Sequence, residues 1–261
     1  MIVHGVNPIL EALAARPDSV ERVWLAEGVR VHGLDRLFEL ARGAGVRVER
    51  VPRERIARLA GGVVHQGVLA EVAEVGYVDP EDLVARARKA GEDPLLVALD
   101  QVQDPIHLGT VVRSAHALGG HGVIVPKDRA ASLTAAAVKA SAGATVHLPV
   151  ARATNLARAL EDLKGAGVWT VAADMDGEPA DRVDLTGPIC LVIGNEGSGI
   201  RPLVRSTCDR VVAIPMARSS VGSLSASTAA AVLLYEVARQ RRARERAREE
   251  QAKSGSKERK S

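Results

Sequence analysis

The residues with the clearest chemical potential lie in three loops, each of which follows an apolar run typical of a buried strand. The first loop leads into a segment that carries Arg113, whose planar guanidinium can grip a phosphate with two hydrogen bonds. The second, 194–199, has three glycines, which allow a backbone to approach a ligand closely. The third, 215–227, is rich in serine hydroxyls that can line a polar site. Because open α/β sheets bind ligands where their strands end, the pattern predicts one polar site.

Each loop taken alone also has a purely structural explanation. Arg113, predicted about one turn into a helix, could be a solvated surface arginine. The order G-x-x-G-x-G is neither the dinucleotide-binding fingerprint nor a P-loop, so a tight turn explains it about as well as a binding loop does. The serines could simply cap the helix that follows them.

The elements that must position these loops alternate between strand and helix from Pro94 onward. This alternation predicts an α/β fold with a parallel sheet and helices on both faces. The predicted strands are 95–99, 122–125, 168–172, 189–193 and 211–214. The predicted helices lie near 108–118, 133–141, 155–164 and 200–206, and a long helix follows over 223–250.

The first 75 residues predict a smaller α/β unit. Its first helix is expected to begin at Asn7, a good N-cap residue that is followed by proline, and its second covers 33–44. Its predicted strands are 20–25, 46–51 and 63–70. We therefore divide the chain into a first unit (1–75), a linker (76–93) that would let the units move, a second unit (94–245), and a basic, disordered tail (246–261). Within the linker, a short helical stretch is predicted over 80–89.

The charge balance argues against a broadly basic surface for nucleic acid. The net charge is +3, but residues 239–261 carry ten Lys and Arg against four Glu, which leaves the rest of the chain at −3. The tail could supply salt-sensitive phosphate binding, whereas the body must rely on local arginines. Aromatic residues make up only 2%, which excludes a platform that stacks single-stranded bases.

Composition excludes several other classes of protein. No run approaches the ~18 apolar residues that a membrane span needs, and the first residues lack the pattern of a secretion signal. Two cysteines, Cys190 and Cys208, are too few for a disulfide framework or a four-cysteine zinc site. The histidines show no metal-ligand spacing. We expect a cytoplasmic protein with no membrane segment and no metal.

Taken in order, the three loops resemble the motifs of the SpoU family of RNA 2′-O-ribose methyltransferases, which belong to the knotted SPOUT class. The family's first motif, D-P-x-N-x-G-x-x-x-R-[ST]-A, matches residues 104–115. Its second, G-x-E-G-x-G, matches 194–199, and its third, I-P-M followed by S-L-N-x-S, matches 214–227. Three motifs in the same order make this resemblance highly specific.

The N-terminal unit also resembles the family, through Gly5, Asn7, 11–13 and 65–67. The resemblance implies that this unit is a ribosomal-protein-like RNA-binding domain. It implies that 94–245 is a parallel-sheet SPOUT methyltransferase domain with a deep trefoil knot. The implied cofactor is S-adenosylmethionine, and the implied assembly is a homodimer in which the partner subunit helps to complete the RNA site. Among family members, the chain is most similar to bacterial enzymes that methylate a guanosine ribose of 23S rRNA.

The resemblance further implies roles for individual residues. The expected cofactor-binding residues are Gly194, Asn195, Gly197, Ile214, Met216 and Leu224. The expected catalytic residues are Arg113, Glu196, His107, Ser223 and Ser225. Because a guanidinium almost never loses its proton, we expect Arg113 to hold a phosphate and stabilise the alkoxide that forms, rather than to act as a base.

Two residues depart from the family motifs. His107 and Ser225 stand where the family has asparagine, and one extra residue lies between Met216 and Ser223. His107 could hydrogen-bond its loop, or it could take part in proton transfer, because an unperturbed histidine titrates near pH ~6.5. The departures leave alternatives beside an active 23S rRNA enzyme: a catalytically weakened factor for RNA binding or ribosome assembly, or an enzyme that acts on tRNA or another rRNA site.

Overall fold

The computed structural model describes residues 1–62, 65–73, 76–217 and 223–258. Within these ranges the chain forms a four-stranded sheet from its N-terminal part and a six-stranded sheet from the rest. The predicted α/β class is confirmed. No helix of the described ranges combines the length and the apolar character that crossing a membrane requires.

The N-terminal sheet has the strand order β1-β4-β2-β3. Its strands are β1 (Ile2–His4), β2 (Val20–Ala26), β3 (Arg47–Val51) and β4 (Val68–Val72). Its helices are α1 (Val6–Ala15), α2 (Leu34–Gly43) and α3 (Arg53–Leu59). Strands β2 and β3 are parallel, whereas β4 runs antiparallel to β1 and β2. Buried Ile9 of α1 and Leu37 of α2 share one core cluster, and buried Ile56 of α3 packs in another with Trp24.

The second sheet has the order β10-β8-β9-β5-β6-β7, and all its neighbouring strands are parallel. Its strands are β5 (Leu95–Asp100), β6 (Gly122–Pro126), β7 (Val150–Ala153), β8 (Trp169–Pro179), β9 (Ile189–Gly194) and β10 (Arg210–Ala213). Its helices are α4 (Pro80–Lys89), α5 (Pro105–Ala117), α6 (Ala135–Ala140), α7 (Leu156–Gly165), α8 (Pro202–Thr207) and α9 (Ala226–Glu258). The central strands β5 and β9 are buried, as their continuous apolar sequences predict.

Helices cover both faces of this second sheet, as predicted. One core cluster contains buried residues of α5 and α9, including Val112 and Leu233. A second core cluster lies on the other face of the sheet. It contains buried residues of α4, α7 and α8, including Leu83, Leu160 and Val204. The five predicted strands are all present. Four have ends within one residue of the prediction, whereas β8, predicted over 168–172, continues to Pro179. The trefoil knot stays a prediction.

Three elements were not predicted from the sequence: β1, α3 and β7. Each is seven residues or shorter, too short to show a clear period. The strand predicted over 63–70 is observed as β4 at Val68–Val72. Residues 63 and 64 lie outside the described residues, and the stretch before Val68 is a turn in which Gln66 and Gly67 have positive φ angles.

The predicted linker, 76–93, is not a free connection between the two sheets. It contains α4, whose Leu83, Val84 and Ala87 are buried in the second unit. Tyr77 packs on the opposite core cluster, and Val78 forms a bridge with Ala151 of β7. The charged residues that suggested a linker are the solvated face of an amphipathic helix, so this segment belongs structurally to the second unit.

The tail predicted as disordered, 246–261, is also corrected for its described part. Helix α9 continues to Glu258 and spans 33 residues, about 50 Å. Its sequence beyond residue 240 is dominated by Ala, Arg and Glu, which are strong helix formers. A basic and polar composition was therefore a poor guide to disorder here. Residues 259–261 lie outside the described residues.

Candidate functional site

The first predicted loop connects the buried strand β5 to α5. Asp104 is the N-cap of α5, and its carboxylate accepts a hydrogen bond from the Ile106 amide at 2.8 Å. Pro105 follows at the first helical position, where its missing N–H costs nothing. The local sequence thus fixes where the helix begins and holds its N-terminus at the carboxyl end of β5.

An ion pair between a buried aspartate and an exposed arginine joins the carboxyl end of β5 to the segment that follows the glycine loop. Asp100, the last residue of β5, is fully buried, and one carboxylate oxygen lies 2.6 Å from Nη2 of Arg201. The other carboxylate oxygen accepts the backbone N–H of Arg201 at 2.8 Å. Sequence reasoning missed both residues, although an aspartate at the end of an apolar strand is a signal, because a buried carboxylate needs a partner.

The glycine loop forms a tight turn whose two ends touch. The backbones of Asn195 and Gly199 exchange hydrogen bonds at 3.1 and 2.8 Å. The Asn195 side chain accepts the Gly197 amide at 2.8 Å and donates to the carbonyl of Gln101 at 3.2 Å. A Cβ on Gly194 would overlap the backbone of Gly199 and Ile200. Gly194 is therefore required by a close backbone approach.

A cavity of about 580 Å³ opens beside this loop. Its walls come from the ends of β8, β9 and β10 and from the segment leading into α9. Its lining includes the predicted residues Gly194, Asn195, Glu196, Ile214, Met216, Ser223 and Leu224. Gly197, His107, Ser225 and Arg113 do not line it. The structure thus brings most of the second and third motifs into one cavity.

One wall of the cavity was not predicted from the sequence. Strand β8 leaves its ladder with β10 after Ala172 and rejoins it at Glu178, so the residues between them bulge outward. Gly177 makes this possible, because a Cβ there would meet the backbone of Val212. Ala173, Asp174 and Met175 line the cavity from this bulge. The glycine was the available signal, since an isolated strand glycine often marks a bulge.

His107 connects the first motif to the other two. Its Nε2 lies 3.0 Å from Oε1 of Glu196, and its Nδ1 lies 3.0 Å from Oγ of Ser227. The same Glu196 oxygen accepts the backbone N–H of Ala226, the first residue of α9, at 3.0 Å. Since a carboxylate only accepts, His107 donates from Nε2 when it is neutral, and Nδ1 accepts from Ser227. The ring thereby ties α5, the glycine loop and α9 together.

The two predicted serines have different positions. Ser223 lines the cavity. Ser225 precedes α9, and its hydroxyl accepts the Thr228 amide at 3.2 Å, which is the bond an N-cap makes. Ser225 also lies 3.3 Å from the hydroxyl of Ser227, so it joins the His107 network indirectly. Ser227 is the last residue of the third motif, but it was not predicted as a site residue.

Arg113 is the ninth residue of α5, two turns into the helix rather than one, because α5 begins at Pro105 instead of near residue 108. It is exposed, on the same helical face as Ile106 and Thr110. Its guanidinium makes neither an ion pair nor a hydrogen bond with any residue in the described ranges. The side chain is therefore free to meet an external anion.

The remaining candidate chemical groups are inert. Both cysteines are free thiols, and burial raises the pKa of Cys208 to about 12 and that of Cys190 further. Neither is a thiolate nucleophile at neutral pH. Over the part of the chain that the structure describes, no three His, Cys, Asp or Glu side chains are grouped to hold a metal ion.

Replacing His107 with alanine is expected to lower the free energy of unfolding by about 1–2 kcal/mol, because Glu196 and Ser227 each lose a hydrogen-bond partner. His107→Asn should retain part of this stability, since the amide can satisfy one of the two. Denaturant unfolding measures both values. His32→Ala, at an exposed histidine, is the control and should stay within about 0.5 kcal/mol of wild type. An equal loss in both alanine variants would contradict the bridging role.

Two protein-family models match the chain, one in each unit. Residues 94–235 match the model described as the SpoU rRNA Methylase family. Residues 2–78 match the model described as RNA 2′-O ribose methyltransferase substrate binding. Together the two matches extend over nearly all of the two sheets.

Individual relatives are similar along most of their length. An uncharacterized tRNA/rRNA methyltransferase of Mycolicibacterium vanbaalenii is 46% identical over 245 residues, which are 92% of this chain and 77% of the relative. The crystal structure of the SpoU methyltransferase AviRb from Streptomyces viridochromogenes, in complex with AdoMet, has a TM-score of 0.75 at 31% identity. That alignment covers 93% of this chain and 91% of AviRb. An RNA 2′-O ribose methyltransferase structure has a TM-score of 0.72 at 25% identity, covering 92% of this chain and 88% of its own.

Proposed function

The chain belongs to the SpoU rRNA methylase family, and we propose that it methylates a ribose 2′-hydroxyl of RNA, specifically of a guanosine in 23S rRNA. Family membership makes it an RNA methyltransferase that uses S-adenosylmethionine. The observation that carries the 2′-O position is the match of residues 2–78 to a substrate-binding module of 2′-O-ribose methyltransferases. A ribosomal substrate is supported by the description of the family that the catalytic unit matches.

The cavity beside the glycine loop suits the cofactor. Its volume of about 580 Å³ lies within the range of small-molecule sites, roughly 300–1,000 Å³. Ile214 and Leu224 offer apolar surface for an adenine ring, and the Gly194 region offers backbone donors and acceptors. Asn195, Gly197 and Met216 complete the proposed binding set: the first two shape the loop, and Met216 lines the wall. When bound, the cofactor supplies an electrophilic methyl group on a sulfonium.

We assign to Arg113 the role of holding the RNA phosphate next to the reacting ribose. An exposed guanidinium without a protein partner among the described residues can form two hydrogen bonds to a phosphate. Its positive charge then favours loss of the 2′-hydroxyl proton by stabilising the alkoxide. The proton itself leaves to a phosphate or to solvent, because a guanidinium with a pKa above ~12 is a poor base.

The hydrogen bonds of His107 and Glu196 stabilise the segment that leads into α9. Glu196 holds the first turn of α9 through the Ala226 amide, and His107 holds Glu196. Ser223 lines the cavity at the start of this segment, and Ser225 caps the helix. We therefore propose that His107, Glu196 and Ser225 position the cofactor-binding segment. Proton transfer through His107 is not needed for this role.

A homodimer is the assembly we propose, through the exposed faces of α5 and α9. These helices pack side by side, and they expose apolar side chains: Ile106 at 56%, Val232 at 39% and Tyr235 at 54%. Adjacent exposed apolar groups on neighbouring helices are typical of a protein interface. Because Arg113 lies on the same face of α5 as Ile106, the partner subunit would lie beside the proposed phosphate contact.

The double variant Val232→Glu and Tyr235→Glu is expected to convert the dimer to monomer, because two charges would be buried at the interface. Sedimentation velocity measures this change directly. Leu203→Glu places a charge at an exposed leucine of α8, outside the proposed interface, and this control variant should stay dimeric. If the double variant remained dimeric, this face would not be the interface.

Transfer of radiolabelled methyl groups from S-adenosylmethionine to unmethylated 23S rRNA tests the proposal. We expect label in 2′-O-methylguanosine after complete nuclease digestion. Cofactor binding without incorporation into any RNA would favour the weakened assembly factor that His107 and Ser225 suggested. Incorporation into tRNA alone would favour the other alternative. The intact His107 bridge supports an active enzyme, because the substituted residue still joins all three motifs.

A further inference from the structure

Four cationic side chains lie at the carboxyl ends of β6 and β7. Lys127 and Arg129 follow β6, Arg152 lies in β7, and Arg158 lies in the first turn of α7. Lys127, Arg129 and Arg158 are exposed, and Arg152 is half-buried. We call these four residues the basic ridge. None of the four forms a salt bridge with a carboxylate of the described residues.

The basic ridge is structurally continuous with the first loop of the proposed active site. The Ala131 amide donates to the carbonyl of Val102, in the loop after β5, at 2.8 Å. The Lys127 amide donates to the carbonyl of Ala153 in β7 at 2.8 Å. These bonds join the segment after β6 to the strand ends on either side of it. The ridge is thus held in a fixed place relative to β5.

Tyr77 contacts Arg152, the half-buried residue of the ridge. Its hydroxyl accepts the Leu133 amide at 2.8 Å, and the guanidinium of Arg152 lies 3.6 Å from the centroid of its ring. A cation held over an aromatic face keeps its charge while losing conformational freedom. Arg152 is therefore a positive charge held by Tyr77, and it is less exposed than Lys127 and Arg158.

Sheet order places the ridge beside the cofactor cavity rather than across the molecule from it. In the order β9-β5-β6-β7, the strands are parallel, so their carboxyl ends share one edge. At about 4.8 Å per strand, the end of β7 lies about 10 Å from the end of β5. An RNA strand whose target nucleotide enters at the carboxyl end of β9 can therefore pass over the ridge.

The ridge stands out against the charge of its surroundings. Residues 92–238 contain 12 Lys and Arg against 15 Asp and Glu, and the ridge holds four of the 12. Four carboxylates lie near it. Asp128 lies between Lys127 and Arg129. Asp79, Glu81 and Asp162 line the same cavity as Arg152 and Arg158, and Asp79 is engaged in the capping box of α4. With Arg88, which lines the same cavity, these residues count five cations against four carboxylates, a small local excess of positive charge, whereas the range 92–238 is acidic overall. Phosphates are the anions that an RNA presents to such a surface.

We infer that the basic ridge binds the phosphates of the RNA strand that flanks the methylated nucleotide. This inference rests on the proposed function. Lysine and arginine bind phosphates without reading the base, so the ridge supplies affinity and register rather than sequence specificity. It gives residues 92–238, which hold more acidic than basic side chains, a local contact for a polyanion.

The test compares two double charge reversals that change the net charge equally. Lys127→Glu with Arg129→Glu reverses the charge of the two ridge residues that follow β6. Lys89→Glu with Arg210→Glu reverses two exposed cations at the opposite edge of the sheet, at the end of α4 and the start of β10. Each variant is measured for binding and methylation of transcribed, unmethylated 23S rRNA, and for binding of S-adenosylmethionine as a check of folding.

The ridge variant is expected to raise Kd and KM for RNA at least tenfold, with kcat within about twofold of wild type. Its log Kd should depend less steeply on log salt, by a slope of about 1.4 for two lost contacts to single-stranded phosphates. The control should stay within about twofold on every measure. Equal losses in the two variants, or no loss in the ridge variant, would overturn the inference. A wild type that binds RNA but transfers no methyl group would refute the proposed function instead.

Discussion

Replacing Arg113 with alanine is expected to lower kcat for methyl transfer by about a hundred- to a thousandfold, the usual cost of losing one group that stabilises a developing oxyanion. Arg113→Lys keeps the charge but loses the planar fork, so it should recover only a small part of the rate. The guanidinium is exposed and has no hydrogen-bonding partner among the described residues, so neither change should affect folding. Single-turnover kinetics at saturating RNA and cofactor measure the effect.

The pH dependence of Arg113→Lys separates the proposed role from that of a base. A lysine loses its proton near pH ~10.4, so a basic role would make the variant more active as the pH rises toward that value. If Arg113 only holds a phosphate, the profile should keep the shape of the wild type. Arg182→Lys, at another exposed arginine, is the control and should change kcat less than twofold. A wild-type rate in Arg113→Lys would contradict the bidentate contact.

Gly194→Ala is expected to weaken binding of S-adenosylmethionine by at least a hundredfold. The new methyl group would overlap the backbone of Gly199 and Ile200, and backbone atoms on the far side of a tight turn cannot move aside like a flexible side chain. The loop that closes the cavity must therefore shift. Isothermal titration calorimetry measures the loss of affinity.

Gly187→Ala is the matched control for this substitution. It precedes β9 just as Gly194 ends it, its φ angle is not positive, and a Cβ there would meet nothing within 4 Å. Its cofactor affinity should equal that of the wild type. Retained affinity in Gly194→Ala would show that the cofactor does not bind beside this loop.

The sequence predicted those features of the site that depend on neighbouring residues, such as the position of a motif after a strand. The three motifs lie at the carboxyl ends of β5, β9 and β10, where the alternation of strands and helices put them. Helix α5 begins at Pro105, after the N-cap Asp104, whereas the helix was predicted to begin near residue 108. That three-residue difference places Arg113 almost one turn further into α5 than predicted.

Long-range contacts were beyond the reach of sequence patterns. The Asp100–Arg201 pair joins residues 101 positions apart, and the His107–Ser227 bond joins residues 120 apart. No period or propensity encodes such pairs, because they depend on how the strands are ordered in the sheet. The bulge of β8 that walls the cavity depends in the same way on its register with β10.

The two errors in domain organisation have a shared cause. The helices over 80–89 and up to residue 250 are present as predicted, but charged and polar composition wrongly indicated that the first belongs to a mobile linker and that the chain after 245 is disordered. In α4 the charges occupy one face and Leu83 is buried on the other, while in α9 they accompany strong helix formers. Polar composition alone did not distinguish a solvated helix from an unfolded segment.

The central claim is that this protein methylates a ribose 2′-hydroxyl, and mapping methyl groups in RNA tests it most directly. Unmethylated 23S rRNA is incubated with the protein and S-adenosylmethionine, digested to nucleosides and analysed by mass spectrometry. We predict one new 2′-O-methylguanosine, absent from a reaction with Arg113→Ala. A methyl group on a base, or no methylated nucleoside despite measured cofactor binding, would contradict the account.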